Sequence, residues 1–563
     1  MSKNELGSAA LTRRAEKRYM GGMLLLSAST LISKVIGLVF KIPMLGLIGI
    51  EGMAYFSSAY HIYILLLTLS TAGLPVALSI MTAKSSARGD RGDVGRIFRV
   101  SLMLLLPTGA AGSAVLAAGA ETFAEWINIP GAEYAIKAIA PTLFFICASS
   151  AVRGYFQGHE IMLPTAVSQL IESASKLVLG MGFAMIAIDR GADAPHTAAA
   201  AISGLTVGVV GGAVYLAVKK LVFPHTRACR GLYRAASIPR TRRSVAAEMI
   251  KIALPVTVSA SVTSIAGLSD TAIITARLTS SGFDHGTALA LYSGYSNLAV
   301  PLYNLPAALI TPVAMSLVPA LSAAVASDEK KTAFSVLRTA FRVTFAAAIP
   351  AAMGLAVFAY PILTMIYPRE VSSVAVSAPL LSVLAPAVVF SCLITVTNAI
   401  LQAWGHPAMP IISIAAGTAV KIASEYLLVG TGIGIYGAPL STLLCGVTVV
   451  LLNIVLMFAY TPVRGSGIIS AAQPLRALAA SAAAIGASAA VYTLLLKAGA
   501  RNALSLVAAI AAALLIYAVC ALKFGVLSAD DIESLPGGER VAKALGRAGL
   551  FRPLRIKKDQ GDK

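Results

Sequence analysis

Charged residues are scarce in this chain. They make up 12% of its 563 residues, against roughly 25% in an ordinary soluble domain. A chain of this length with so little charge has no solvated surface for several globular domains, which excludes a conventional soluble enzyme or binding module. Cysteine is sparse as well: Cys147, Cys229, Cys392, Cys445 and Cys520 are scattered, four of them in apolar runs. No disulfide framework and no metal-ligand spacing follows from them. There is no GxxxxGK[ST] element, so no P-loop, and His159-Glu160 is followed by Leu163 where a metalloprotease helix needs its second histidine. Alternating segments of about ten residues, the mark of a membrane barrel, are missing too. No segment outside the apolar runs is large enough to house a glycosyltransferase site. No cofactor and no catalytic residue is implied.

Long apolar stretches are what the sequence does contain. Hydrophobic residues form 57% of the chain, the mean hydropathy is +0.80, and runs near the ~20 residues needed to cross a bilayer recur from residue 20 to residue 523. Segments in lipid must satisfy their own backbone groups, so these runs are helices. The expected fold is all-α, a polytopic membrane protein of about fourteen spanning helices: 21–47, 56–83, 97–120, 133–156, 162–187, 197–219, 247–277, 285–318, 334–360, 374–402, 408–430, 433–460, 472–496 and 501–523. The first run, Met20–Leu47, is too long for a signal-peptide core and is expected to remain as helix 1.

The net charge of +20 does not point to nucleic acid, because the basic residues sit in short loops between apolar runs. One side of the bundle receives Arg13, Arg14, Lys17 and Arg18, the 84–99 loop, the 219–246 connection and the carboxy-terminal tail. The other side receives only Arg190, Arg277, Arg369, Lys497 and Arg501, with several carboxylates. Lysine and arginine accumulate in cytoplasmic loops, so both termini are expected in the cytoplasm of a plasma-membrane protein.

Two spacings suggest an internal duplication. Pro75 to Phe98 is 23 residues and Pro319 to Phe341 is 22, each pair joining the end of one predicted helix to the next. Gln157 to Lys176 and Gln402 to Lys421 are both 19 residues, with Pro164 and Pro410 between. The chain therefore divides into a cytoplasmic segment 1–20, a first six-helix lobe 21–219, a basic linker 220–246, a second lobe 247–460, two appended helices 461–523 and a basic tail 524–563. Parallel repeats of this kind place a cargo site between halves near the midplane. The tail pattern Val541, Leu545, Leu550 and Phe551 among Arg540, Lys543 and Arg547 reads as an amphipathic helix on anionic lipid.

Ionisable residues inside the runs stand out, since each costs at least ~2.5–3.5 kcal/mol to insert and normally faces a cavity or a partner. Lys34 and Lys41 share one face of helix 1, with Gly37 between them. Lys34 is at mid-depth, and Lys41 is near enough to an end either to snorkel or to face the same cavity. Glu172 with Lys176, and Lys421 with Glu425, are i,i+4 pairs, close enough to neutralise each other along one helix. They either specify packing or offer lysines that exchange partners with an anion. Asp270 either completes a cation or proton site or pairs with one of the lysines. Lys34, Lys41, Lys176 and Lys421 are the candidate cargo-binding residues, and Glu172, Asp270 and Glu425 the candidate ion-coupling residues. His61, Tyr60, Tyr63, Tyr292, Tyr295 and Tyr303 read mainly as interfacial aromatics. Gly204, Gly208 and Gly212 read as helix packing.

The stretch Arg153-Gly-Tyr-Phe-Gln-Gly158, continuing to Pro164-Thr-Ala-Val-Ser-Gln169, resembles a family signature. Together with Ile32-Ser-Lys-Val-Ile-Gly37, Gly73-Leu-Pro-Val-Ala-Leu-Ser79 and Asp530-Asp-Ile-Glu-Ser-Leu-Pro-Gly537, it is similar to the lipid II flippase and stage V sporulation protein B branch of the multidrug/oligosaccharidyl-lipid/polysaccharide exporter superfamily. The resemblance implies two six-helix lobes around a V-shaped central cavity, plus two helices. It also implies translocation of an undecaprenyl-pyrophosphate-linked glycan by alternating access, with Lys34 in the position of a cavity arginine. The further arginine in helix 8 and acidic residue in helix 2 that Gram-negative lipid II flippases carry are missing here. The expected function is thus a lipid-linked oligosaccharide flippase, with lipid II as leading cargo and a coupling cation as a possible second partner. The competing readings are a cation-coupled multidrug exporter, an exporter of spore-cortex or other polysaccharide lipids, and a membrane-bound polymerase or ligase.

Overall fold

The computed structural model describes residues 3–88, 90–159, 161–222, 240–326, 330–406, 408–461 and 472–526. The centre of the basic linker, the 530–537 element and the amphipathic tail pattern lie outside the described residues. In order, the helices are α1 (Lys3–Thr71), α2 (Leu74–Ala87), α3 (Arg91–Ala118), α4 (Ala120–Trp126), α5 (Ala132–Gly158), α6 (Leu163–Asp189), α7 (Ala194–Val222), α8 (Arg242–Ser280) and α9 (His285–Ser293). A π-helical turn (Gly294–Ala299) leads into α10 (Val300–Ala326), α11 (Lys330–Val357), α12 (Ala359–Ile366), α13 (Val371–Leu384), α14 (Ala387–Ala403), α15 (Met409–Val429), α16 (Gly437–Tyr460), α17 (Ala472–Lys497) and α18 (Asn502–Lys523). Among the described residues there is no strand, so the all-α membrane fold stands.

The count of fourteen crossings is not reached. Among the described residues eleven helices are long and apolar enough to span a bilayer, or twelve if α13 and α14, bent by 50°, form one span. One of the eleven, Val35–Ser86, is 52 residues long, more than twice the ~20 a crossing needs. It holds two of the expected spans, because α1 breaks at Gly49, whose φ of 70° only glycine adopts cheaply. A second break, at Ala72–Gly73, divides the helix expected over 56–83. The helix expected over 285–318 is likewise divided by the π-helical turn. Large apolar side chains such as Val178, Val214, Leu451 and Leu515 are exposed around the bundle, which suits a lipid environment and not water. Buried hydroxyls bond back into their own helices, as Thr344 does to the Ala340 carbonyl at 2.7 Å.

Two compact units emerge: Met1–Leu298 with Ile414–Ser441, and Ala299–Ser413 with Thr442–Lys563. In the first, α5 is the most enclosed span, burying Ile136, Ile139, Leu143, Cys147 and Phe156. Its α6 and α7 pack at glycine distance: a Cβ on Gly204 would strike the Gly180 backbone, and one on Gly208 would meet the Ser175 Cβ. The small-residue reading of helix 6 is therefore correct, and that close approach walls in Glu172 on α6. Below, α2 and α3 bury Ala77, Leu78, Met81 and Ile97 against Val245 and Met249 of α8. Asp90 and Thr241 cap α3 and α8 through the Asp93 and Ser244 N–H groups, the side-chain oxygens satisfying otherwise orphan donors.

In the second unit, α10, α11, α14 and α16 share a core of Ile310, Leu337, Phe341, Val388, Val396 and Met457. The appended α17 and α18 are tied to it by polar contacts. Tyr517 donates to the Ala346 carbonyl at 2.6 Å, and Asn502 to the Pro361 carbonyl at 3.2 Å. The order α3, α4, α5, α6, α7 resembles that of α11, α12, α13–α14, α15, α16, down to a short helix of 7 or 8 residues after the first long one.

The α6–α7 contact makes a direct prediction. Gly204→Val should destabilise the protein by about 1–3 kcal/mol through overpacking. Gly182→Val, on α6 and facing open space, should shift the thermal midpoint far less. Thermal denaturation of the two purified variants in one detergent is the comparison that checks it.

Candidate functional site

The first unit holds a polar cavity of about 400 Å³. Its walls are Thr30, Ser33 and Gly37 of α1, Tyr60 and Tyr63 from the same helix beyond the Gly49 break, Arg153 of α5, and Gln169, Glu172, Ser173 and Lys176 of α6. Arg153, the first residue of the sequence signature at 153–158, is thus part of the cavity wall. In the second unit a larger groove of about 620 Å³, lined by residues such as Met353, Phe390, Pro474 and Leu475, is apolar and has nothing to offer a charged group.

The glutamate and lysine of α6 do not pair with each other. Glu172 takes the guanidinium of Arg153 instead, Nη2 to Oε1 at 2.5 Å, while Arg153 Nε donates to Ser168 Oγ at 3.0 Å. Both partners are nearly buried, at 12% and 14% side-chain exposure, so this is an ion pair out of water and between helices. Lys176 is left facing π-electrons. Its Nζ lies 4.9 Å from the centroids of Phe40 and Tyr60 and 5.4 Å from that of Phe56, a cation–π box of three rings.

Lys41 does not snorkel. Its ammonium donates to Asn297 Oδ1 at 3.2 Å, and Asn297 sits in the π-helical turn, its amide nitrogen bonded to Ser57, Ser293 and the Met53 carbonyl at 3.1–3.3 Å. Lys41 and Lys176 are within electrostatic reach of each other, and among the described residues neither has a carboxylate at ion-pair distance. Gly37, on the α1 face shared by positions 34 and 41, lines the cavity. The Lys34 side chain lies outside the described residues.

The pair on α15 is also re-partnered. Lys421 binds Asp270 of α8 at 2.5 Å and reaches the Ala266 carbonyl at 3.4 Å. Glu425, with 0% exposure, stays beside them. Of the two roles open to Asp270, the structure places it in an ion pair with a deep lysine. His61 joins this region: its Nδ1 is 2.8 Å from Thr271 Oγ1, which is 2.8 Å from the Tyr292 hydroxyl. Tyr292 and Tyr295 are fully buried, so they are interior residues and not an interfacial belt. The sequence reading missed Arg153, Asn297 and Thr271 as site residues. Arg153 was legible as a basic residue inside a signature. Asn297 and Thr271 are uncharged and gave no signal.

Set against known proteins, the geometry acquires a family. Residues 20–325 match the model of the polysaccharide biosynthesis protein family, and residues 280–427 match the MatE model. The lipid II flippase MurJ of Bacillus subtilis (strain 168) is 25% identical over 427 residues, 72% of this chain and 76% of that one. Stage V sporulation protein B of the same organism is 24% identical over 527 residues, 93% and 98%. Among solved structures, lipid II flippase MurJ in an inward closed conformation superposes with a TM-score of 0.63 at 16% identity, covering 88% of this chain and 98% of the other. An inward-facing multidrug resistance transporter of the MATE family gives 0.60 at 17% identity, covering 79% and 98%. The fold is that of the transporters of the multidrug/oligosaccharidyl-lipid/polysaccharide exporter superfamily. The chain belongs to the polysaccharide biosynthesis protein family, a multi-pass membrane protein of the flippase and exporter class.

The Arg153–Glu172 pair yields a testable energy. Arg153→Ala leaves a buried carboxylate alone and should cost about 3–5 kcal/mol. The double variant Arg153→Met with Glu172→Gln should cost much less, because no bare charge remains. Thermal midpoints of the single and double variants measure the difference; equal losses would show that the pair is not what the cavity wall relies on.

Proposed function

We propose that this protein is a flippase for a lipid-linked oligosaccharide whose pyrophosphate is received by Lys41 and Lys176, with Lys34 contributing from the same face of α1. The observation that carries the reading is a charge imbalance. Around the polar cavity, Arg153 and Glu172 cancel, while Lys41 and Lys176 have no carboxylate partner among the described residues. Two ammonium groups held at membrane depth without counter-charge cost several kcal/mol each. An anion carrying at least two negative charges removes that cost, and a pyrophosphate does so through several oxygens. Lysine suits the task as a mobile point charge with three donors, and the aromatic box gives Lys176 a resting place when no anion is bound.

Lipid II is the leading cargo, supported by the printed name of one relative; spore-cortex or other polyprenyl-linked glycans share the same recognition chemistry. The two six-helix lobes would rock about the site to expose it to each leaflet in turn, in a bacterial plasma membrane with both termini in the cytoplasm, as the loop charges favour. The drug-exporter reading needs carboxylates free to meet an organic cation. Here Glu172 is engaged by Arg153 and Asp270 by Lys421, and Glu425 lies beside Asp270 and not in the cavity lining, which weighs against it.

Charge reversal by Lys34→Glu, Lys41→Glu or Lys176→Glu is expected to abolish delivery of lipid II to the outer leaflet in a strain depleted of its own flippase, at normal expression. Neutral Lys41→Gln and Lys176→Gln should each weaken pyrophosphate binding about tenfold, the loss of roughly one charge-assisted hydrogen bond. Full delivery by all three charge-reversed variants would sink the assignment. A gain of drug resistance without any change in lipid II would favour the exporter reading instead.

A further inference from the structure

The cluster around Lys421 holds one charge too many. Lys421 brings one ammonium to α15, and Asp270 of α8 binds it at 2.5 Å. Glu425, one turn further along α15, is fully buried, and among the described residues neither of its carboxylate oxygens has a hydrogen-bond donor. The group facing it is the Asp270 carboxyl. Two ionised carboxylates side by side are both acceptors, so nothing holds them together and their mutual repulsion acts at low dielectric. One proton cures both defects at once: it turns one carboxyl into a donor for the other and brings the cluster from a charge of −1 to zero.

A metal cation would also balance the charge, but it needs a shell of oxygen ligands, about six or more for the hard cations. Among the described residues no group of three or more His, Cys, Asp or Glu side chains converges to hold one, and the ammonium of Lys421 already occupies the cation position on Asp270. A proton needs no shell. The other titratable or charged groups facing the cluster are Tyr295 from the π-helical turn and, from α1, His61, which is within electrostatic reach of Asp270, Lys421 and Lys41. His61 is also hydrogen-bonded to the neighbour of Asp270, Thr271.

We propose that Asp270 and Glu425 share one bound proton beside the Lys421 ammonium, and that this proton, not a metal cation, is the ion whose binding and release the protein senses. The exchange is a simple one: water or His61 delivers H⁺ to a carboxylate oxygen, an O–H bond forms, and the reverse step returns it. Release puts two carboxylates in opposition and loosens α8 from α15; binding closes them. This deepens the transport reading and rests on it only for the purpose of the ion.

Infrared spectroscopy of the full-length protein in lipid nanodiscs tests the site without any cargo. At neutral pH the wild type should show a protonated-carboxyl stretch that disappears in Glu425→Gln and equally in Asp270→Asn, because either remaining carboxylate then ionises against Lys421. Glu172→Gln, whose carboxylate is paired with Arg153, should leave the band in place. A band absent from the wild type throughout a pH titration, or one persisting in both cluster variants, overturns the proposal. Thermal midpoints of the wild type should agree in NaCl and KCl at equal ionic strength; a sodium-specific stabilisation also overturns it. Because neither measurement uses a glycolipid, failure here and failure of the flippase assay are separate results.

Discussion

An ionised side chain removed from water must be answered by another charge, a set of donors or a bound ion, and the interior of the first unit is organised by that demand. Arg153 answers Glu172 across α5 and α6, and Asp270 answers Lys421 across α8 and α15. Each of these bonds ties two helices together, and each leaves a neighbour on the same helix unanswered. Lys176 is released from Glu172 and settles over aromatic rings; Glu425 is released from Lys421 and faces a second carboxyl. The unanswered groups are of opposite sign in the two places. One offers a seat for an anion, the other a seat for a proton, and His61 is within electrostatic reach of Lys41, Asp270 and Lys421.

This explains why the sequence was only partly informative about the site. The i,i+4 rule for oppositely charged residues describes helices in water, where pairs gain a few tenths of a kcal/mol. In a packed membrane bundle the partner on another helix wins when the backbones approach closely enough. Here Arg153 reaches Glu172 from α5, and no spacing rule within α6 contains that information. The identity of the charged residues was readable because any charge is conspicuous in an apolar run. Their pairing was a tertiary fact. Asn297 illustrates the remaining blind spot: an uncharged residue in a π-helical turn holds Lys41, and nothing in its sequence neighbourhood marks it.

The fold was far more legible, for a physical reason. Bilayer thickness fixes the length of each apolar run, so the runs announce their helices. The last two expected helices, 472–496 and 501–523, correspond to α17 and α18. The errors fell where helices break without losing hydrophobicity. Gly49, Ala72–Gly73 and the π-helical turn interrupt the helices while the composition stays apolar, so run length alone did not show where the helices break.

The central claim is that two uncompensated lysines receive a pyrophosphate. It is tested most directly by binding of an undecaprenyl pyrophosphate lipid and its monophosphate counterpart to the purified protein in nanodiscs. The account predicts that the wild type prefers the pyrophosphate, and that Lys41→Gln with Lys176→Gln together remove both the preference and about a hundredfold of affinity, two charge-assisted contacts at about tenfold each. Equal affinity for the two lipids, or a double variant that binds the pyrophosphate as tightly as the wild type, would contradict it.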